Sequence, residues 1–215
     1  MSLNSQNSKT SLSNQETKSD FFAEIVGSNL QFFSAQCWQW DNFPKFGSLV
    51  QAQSDKRIII GCVTQIETGS IDPMRSPFPY QKTEAELMAE QPQIFEFLRT
   101  IFNVQIVGYI DESQNKINYH LAPTPCKIHS FVKECSSELF ALFFQEPLYV
   151  HILFAALNQS CNLDELLLAI LNNLATKKLL TQAMLDEFCQ TFSLLTGNDY
   201  RRLKLFLRRI EQIAK

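Results

Sequence analysis

The sequence contains no C-x-x-C pair, no glycine followed by lysine, no G-x-G-x-x-G run and no G-x-S-x-G elbow. The missing cysteine pairs remove a zinc knuckle, and the missing Gly-Lys step removes a phosphate-cradling P-loop. The other two absences remove a dinucleotide fingerprint and the nucleophile turn of the α/β-hydrolases. No apolar run approaches the ~20 residues of a membrane span. The first residues also lack the basic stretch and apolar run of a secretory signal. The expectation is a soluble chain in the cytoplasm or an organelle interior, where six unpaired cysteines act mostly as small buried hydrophobes. Charge of one sign is missing as well. Nineteen Lys and Arg face 22 Asp and Glu, for a net charge of −3, so whole-chain nucleic-acid binding has no electrostatic basis.

What is present is a large apolar load, 45% of the chain, with 18 phenylalanines. Residues 1–20 stand apart from it. They are rich in Ser, Asn, Gln and Lys, and the composition predicts a disordered polar tail. From Phe21 the pattern becomes strand-like. Ser48–Gln53 and Arg57–Glu67 read as two β-runs joined by a polar turn, and Gly61 inside the second predicts a bulge. Further strands are predicted at 103–110, 116–121 and 127–134. A proline-punctuated excursion interrupts them and leads into a helical stretch that Thr83 and Glu86 would cap. The expected helical insertion covers about 71–102.

After Ser136 the pattern stays helical. The run Leu148–Ser160 is apolar on nearly every face and is expected to be the buried centre of the helical part. Asn162 and Glu165 mark the start of another helix, and Gly197 ends the next. The fold class expected is α+β: a small six-stranded β-barrel over 21–135, followed by an all-α helical domain over 136–215.

Two constellations carry candidate chemistry. Pro123, Pro125, Cys126 and His129 form Pro-x-Pro-Cys-x-x-His, with His120 upstream and Cys135 downstream. A metal- or thiol-dependent enzyme centred on Cys126 and His129 is one alternative. On a strand these two side chains would point to opposite faces, and a second ligand pair is absent. The segment therefore reads as a junction between barrel and helices. Nothing in the sequence implies a cofactor, and Asp164, Glu165, Glu84 and Glu86 are explained by the favourable field of helix N-termini.

The second constellation is basic. Tyr200, Arg201, Arg202, Lys204, Arg208 and Arg209 crowd the last helix, while Leu203, Phe206, Leu207, Ile210 and Ile213 keep an apolar stripe. The cations suit an amphipathic helix near its C-terminal end. They also offer an anion- or partner-binding surface. This makes a nucleic-acid-associated accessory protein the alternative function, present but not favoured.

The rhythm of Gly47–Gly69 is a Gly-started β-run, a polar turn, and a β-branched run with an internal Gly-x-Val. With the strand Asn103–Ile110 and the Pro-x-Pro element before Ile128–Val132, it resembles the HAS-barrel. That is the small six-stranded barrel preceding the motor core of HerA-type DNA-translocating ATPases and found in rotary ATP-synthase head subunits. The resemblance covers roughly residues 20–135. Eighty helical residues replace the motor core, so ATPase activity does not carry over. What the resemblance implies is contact with protein partners, or between copies of the chain as a homo-oligomer, and hence a non-enzymatic assembly module.

Overall fold

The computed structural model describes residues 20–213 apart from 73, 75–76, 114–115, 157–160 and 198. The polar tail expected at 1–20 falls outside that range except for Asp20. The fold is α+β: a closed six-stranded antiparallel barrel with one extra strand, followed by C-terminal helices.

The strands are β1 (Ala23–Ser28), β2 (Phe32–Cys37), β3 (Leu49–Ser54), β4 (Arg57–Ser70), β5 (Leu98–Asp111), β6 (Lys116–Asn118) and β7 (Phe131–Glu134). Around the barrel they run β2-β1-β7-β3-β4-β5, and β5 pairs back onto β2 to close the ring. β6 is the extra strand, paired on β5. Closure removes the free edges that would otherwise invite aggregation. β4 and β5 are each 14 residues long, and the ladder between them shifts register at Ile60/Gly61 and again at Val63/Gln65. The bulge expected at Gly61 is therefore present. A Cβ there would meet Val104 Cγ1 at 2.2 Å, so only glycine lets the strands approach this closely.

The barrel interior is a packed core. Phe33, Phe102, Ile25, Ile59 and Ile106 fill it, and Ala122 and Cys126 from the loop after β6 join the same core.

The helices are α1 (Glu84–Glu90), a 3-10 helix (Pro92–Phe97), α2 (Ser137–Phe144), α3 (Leu148–Ala156), α4 (Leu163–Thr176), α5 (Gln182–Leu195) and α6 (Tyr200–Ile213). Each expected cap that can be described is in place. Thr83 and Glu86 form the reciprocal capping box, Asn162 accepts from Asp164 and Glu165 N–H, and Gly197 follows α5 at φ +65°. Asp199 Oδ1 accepts from the N–H groups of Arg201 and Arg202 and so starts α6.

α2 to α6 cover one wall of the barrel. Leu49, Ile60, Cys62 and Val107 point outward from β3, β4 and β5 into a single core shared with Phe140, Phe143, Leu153, Leu166, Phe192 and Phe206. This explains why Ile58–Val63 carries an unbroken apolar run, since both faces of that strand are covered over Ile59–Val63.

Several expectations need correction. The buried centre of the helical part is α4, with six buried leucines and isoleucines, while α3 leaves Leu148 and His151 exposed. Its all-round apolarity covers more than one neighbour needs. The helical insertion stops at Phe97, and Leu98–Phe102 belongs to β5 because β2 and β4 both pair with it. The strand expected at 127–134 shrinks to Phe131–Glu134, and the one at 116–121 to Lys116–Asn118. β2 was not anticipated.

Candidate protein-interaction surface

The motif at Pro123–His129 is a turn and not a strand. His129 lies at φ +71°, with its N–H on Ile25 C=O at 2.9 Å and Ser130 N–H on Lys127 C=O at 3.2 Å. Cys126 turns inward, 4% exposed, and burial pushes its thiol up to about 12. A thiol so placed is protonated at neutral pH and poorly nucleophilic. His129 turns outward, and its Nδ1 meets Glu24 Oε1 at 2.5 Å. The two side chains thus belong to different environments. Among the described residues no three His, Cys, Asp or Glu side chains gather as a metal would require. Pro123 and Pro125 shape the loop that lays Ala122 and Cys126 into the barrel end. The contact with the helices comes instead from Cys135, which belongs to the shared core.

The basic cluster is divided by the helix period. Arg202 reaches α4, where Nε and Nη2 bond Asp164 Oδ2 and Oδ1 at 3.2 and 2.6 Å. Its guanidinium also lies 5.8 Å from the Phe154 ring centroid and 5.6 Å from that of Phe192. The hydrogen bonds to Asp164 raise its pKa further. Arg209 pairs with Glu165 at 2.7 Å, and that bond holds the glutamate below its ordinary value. The contribution of Glu165 is present above the unfolded glutamate value and is lost as pH falls through the lower folded one. Arg201, Lys204 and Arg208 face solvent on the other flank, beside the exposed Tyr200 and Leu205.

Arg202→Ala is therefore expected to lower stability by about 1–2 kcal/mol, through the fork-shaped pair and the two ring contacts. Arg201→Ala and Arg208→Ala should leave the urea midpoint where it is. Equal shifts for all three would contradict the division.

The surface that sequence reasoning missed is the barrel wall opposite the helices. Apart from a register shift between Ile25 and Gly27, β1, β2 and β7 place Ala23, Ile25, Phe33, Ala35 and Val132 in the barrel core and turn their neighbours outward. Outward residues on such a wall are ordinarily polar. Here they include Val26, Phe32 and Phe131, and Trp38 follows directly at the end of β2. All four are between 38% and 47% exposed. Trp38 packs edge-on to Phe131 at 5.3 Å, and Phe21 tilts against Phe131 at 5.7 Å. Lys133 Nζ stands 5.3 Å over the Phe21 ring.

Beside this cluster runs a groove of about 600 Å³, between the start of β1, the Phe43–Pro44 loop and the N-terminus of α2. Phe21, Phe43, Pro44 and Leu139 give it apolar walls, with Gln51 and Glu134 at polar positions. Aromatic anchors beside an apolar groove with a few polar groups are the composition of a protein-contact centre. The signal in the sequence was an aromatic at one outward position of each of two strands, Phe32 in β2 and Phe131 in β7.

No family model matches the chain, and no curated protein matches it. No single helix among the described residues is long and apolar enough to cross a membrane.

Proposed function

We propose that the chain is a non-enzymatic interaction and assembly module, a stand-alone barrel of the HAS-barrel kind that engages a protein partner through the wall formed by β1, β2 and β7. The observation that carries this reading is that wall's aromatic cluster, Trp38 on Phe131 on Phe21, uncovered among the described residues while the helices cover the opposite wall. Its groove supplies a place for a partner side chain or short segment. The filled barrel interior and the inward, protonated Cys126 argue in the same direction, since neither offers a substrate a place to react. Two of the five cations on α6 are engaged by Asp164 and Glu165, which weakens the nucleic-acid alternative.

The test is affinity purification of the full chain from its native cell, alongside the Trp38→Ala and Phe131→Ala variants. Truncating a central aromatic anchor costs about 2 kcal/mol or more of binding, on the order of a 30-fold loss. Both side chains are half in solvent, so the melting midpoint should barely move. A partner retained at full strength by the double variant would remove this wall as the binding surface.

A further inference from the structure

The wall of β1, β2 and β7 leaves two other surfaces unassigned. One is the segment of residues 77–97, part of the connection between β4 and β5. These adjacent strands would need only a few residues to turn. The segment is fixed at its root. Ser70 pairs with Leu98, Ile71 N–H donates to Phe97 C=O at 2.8 Å, and Phe95 stacks on Trp40 at 5.5 Å. Beyond the root it is a folded arm, with the capping box at Thr83 and an ion pair between Lys82 and Glu90. Not one of residues 77–97 is buried. Phe78, Tyr80 and Met88 stand in solvent, the first two packed edge-on to each other at 5.5 Å. The same segment carries Glu84, Glu86, Glu90 and Glu96 against one lysine, Lys82.

The other surface is the outward flank of α6. It has a similar make-up with the opposite net sign: Arg201, Lys204 and Arg208 around the exposed Tyr200 and Leu205, with Glu211 the one exposed carboxylate on that flank.

We infer that these are the two halves of one contact between two copies of this chain, the acidic arm of one protomer lying on the basic flank of α6 in its partner. The inference rests on the assembly reading and names a partner for it, the chain itself. Charge complementarity selects the occupant. An anionic polymer or lipid surface would suit α6 but would repel the arm, whereas a second copy satisfies both. A two-fold arrangement forms the contact twice, arm to flank and flank to arm. The apolar side chains supply affinity, and the opposed charges set the orientation and reject wrong pairings.

Sedimentation of the full chain over a range of concentrations, at 0.1 M and 1 M salt, tests this. A concentration-dependent dimer is expected, weaker in high salt because the screening length falls from ~10 to ~3 Å. The variant Arg201→Glu/Lys204→Glu/Arg208→Glu should raise the dissociation constant on the order of 100-fold, since like charges then face each other. Adding Glu84→Lys and Glu90→Lys to that same chain should restore the dimer. A monomer at every concentration, a dimer unmoved by the triple reversal, or a failure of the added lysines to rescue it each overturns the inference. The assembly reading is judged separately by the Trp38 and Phe131 variants. A monomer that still captures a partner through those residues sinks the dimer and leaves that reading standing. An arm-dependent dimer whose partner capture ignores them does the reverse.

Discussion

Gly47→Val should cost about 3 kcal/mol or more and loosen the helical layer from the barrel. Two effects add at this position. The backbone lies at φ +74°, where a β-branched residue is strained by roughly 1–3 kcal/mol. A Cβ would also meet Ala169 Cβ at 2.8 Å and the α4 backbone atoms Ala169 C and Ile170 N at 3.1 Å. Overpacking of this kind adds a further ~1–3 kcal/mol, and helix backbone cannot move aside as a flexible side chain can. The neighbouring contacts fix the same approach, because Gly47 N–H bonds Val63 C=O at 2.9 Å and Asn173 Nδ2 donates to Phe46 C=O at 3.1 Å.

The experiment uses two signals. Both tryptophans, Trp38 and Trp40, lie on the barrel side, whereas far-ultraviolet dichroism at 222 nm is dominated by the helices. Because Leu49, Ile60, Cys62 and Val107 share one core with the helices, the two urea transitions should coincide and shift together in the variant. If the helical signal is lost early while tryptophan emission holds its midpoint, barrel and helices are independent folding units and the shared core carries little coupling.

Much of the architecture was legible because local chemistry and tertiary structure agree. Thr83, Asn162 and Gly197 mark their helix ends in the sequence and in the fold, and Gly61 marks a bulge in both. The closed barrel followed from closely spaced short strands with internal glycines. What was not legible involves partners distant in sequence. β2 has no β-branched residue, and its identity comes from pairing with β1 and β5. A weak cue existed in Asn29, whose side chain accepts from Gln31 and Phe32 N–H and turns the chain into β2.

The candidate surface was hidden for a related reason. An exposed aromatic and a buried one are the same letter, and only the position of the helices decides which wall stays open. Phe131 was legible as a strand residue facing away from Val132, but not as a residue left uncovered. The α6 cations were legible as two flanks of one helix, with Arg202 and Arg209 on one side and Arg201, Lys204 and Arg208 on the other. Which flank would be used internally depended on Asp164 and Glu165, about forty residues earlier.

Phe102→Ala should be among the most damaging single changes in the barrel, at about 3–5 kcal/mol. The residue is fully buried, pairs across to Ala35 of β2 and Ile66 of β4, and has the Phe22 ring 5.8 Å away. It stands where β5 closes the ring, so its loss empties the middle of the interior and weakens the hold on β2. The sequence around it fits two periods. Phe95, Leu98 and Phe102 keep helical spacing, while Thr100, Phe102, Val104 and Ile106 keep strand spacing. Residue preferences alone do not choose between them, but having a paired strand on each side does.

Phe97 makes a sharp control five residues earlier. It is 57% exposed at the root of the arm, and Phe97→Ala should fall within ~0.5 kcal/mol of the parent. Urea unfolding of the two variants is the check, and a cost at Phe102 no larger than that at Phe97 would contradict its place at the closure of the ring. A large penalty at Phe102 also bears on the proposed surface. Phe32 and Trp38 are carried by β2 or its end, and β2 keeps its place through β1 on one side and β5 on the other. Loosening β5 should therefore weaken partner capture together with stability, whereas Trp38→Ala should weaken capture alone. The ratio of those two effects distinguishes a residue that holds the wall from one that is the wall.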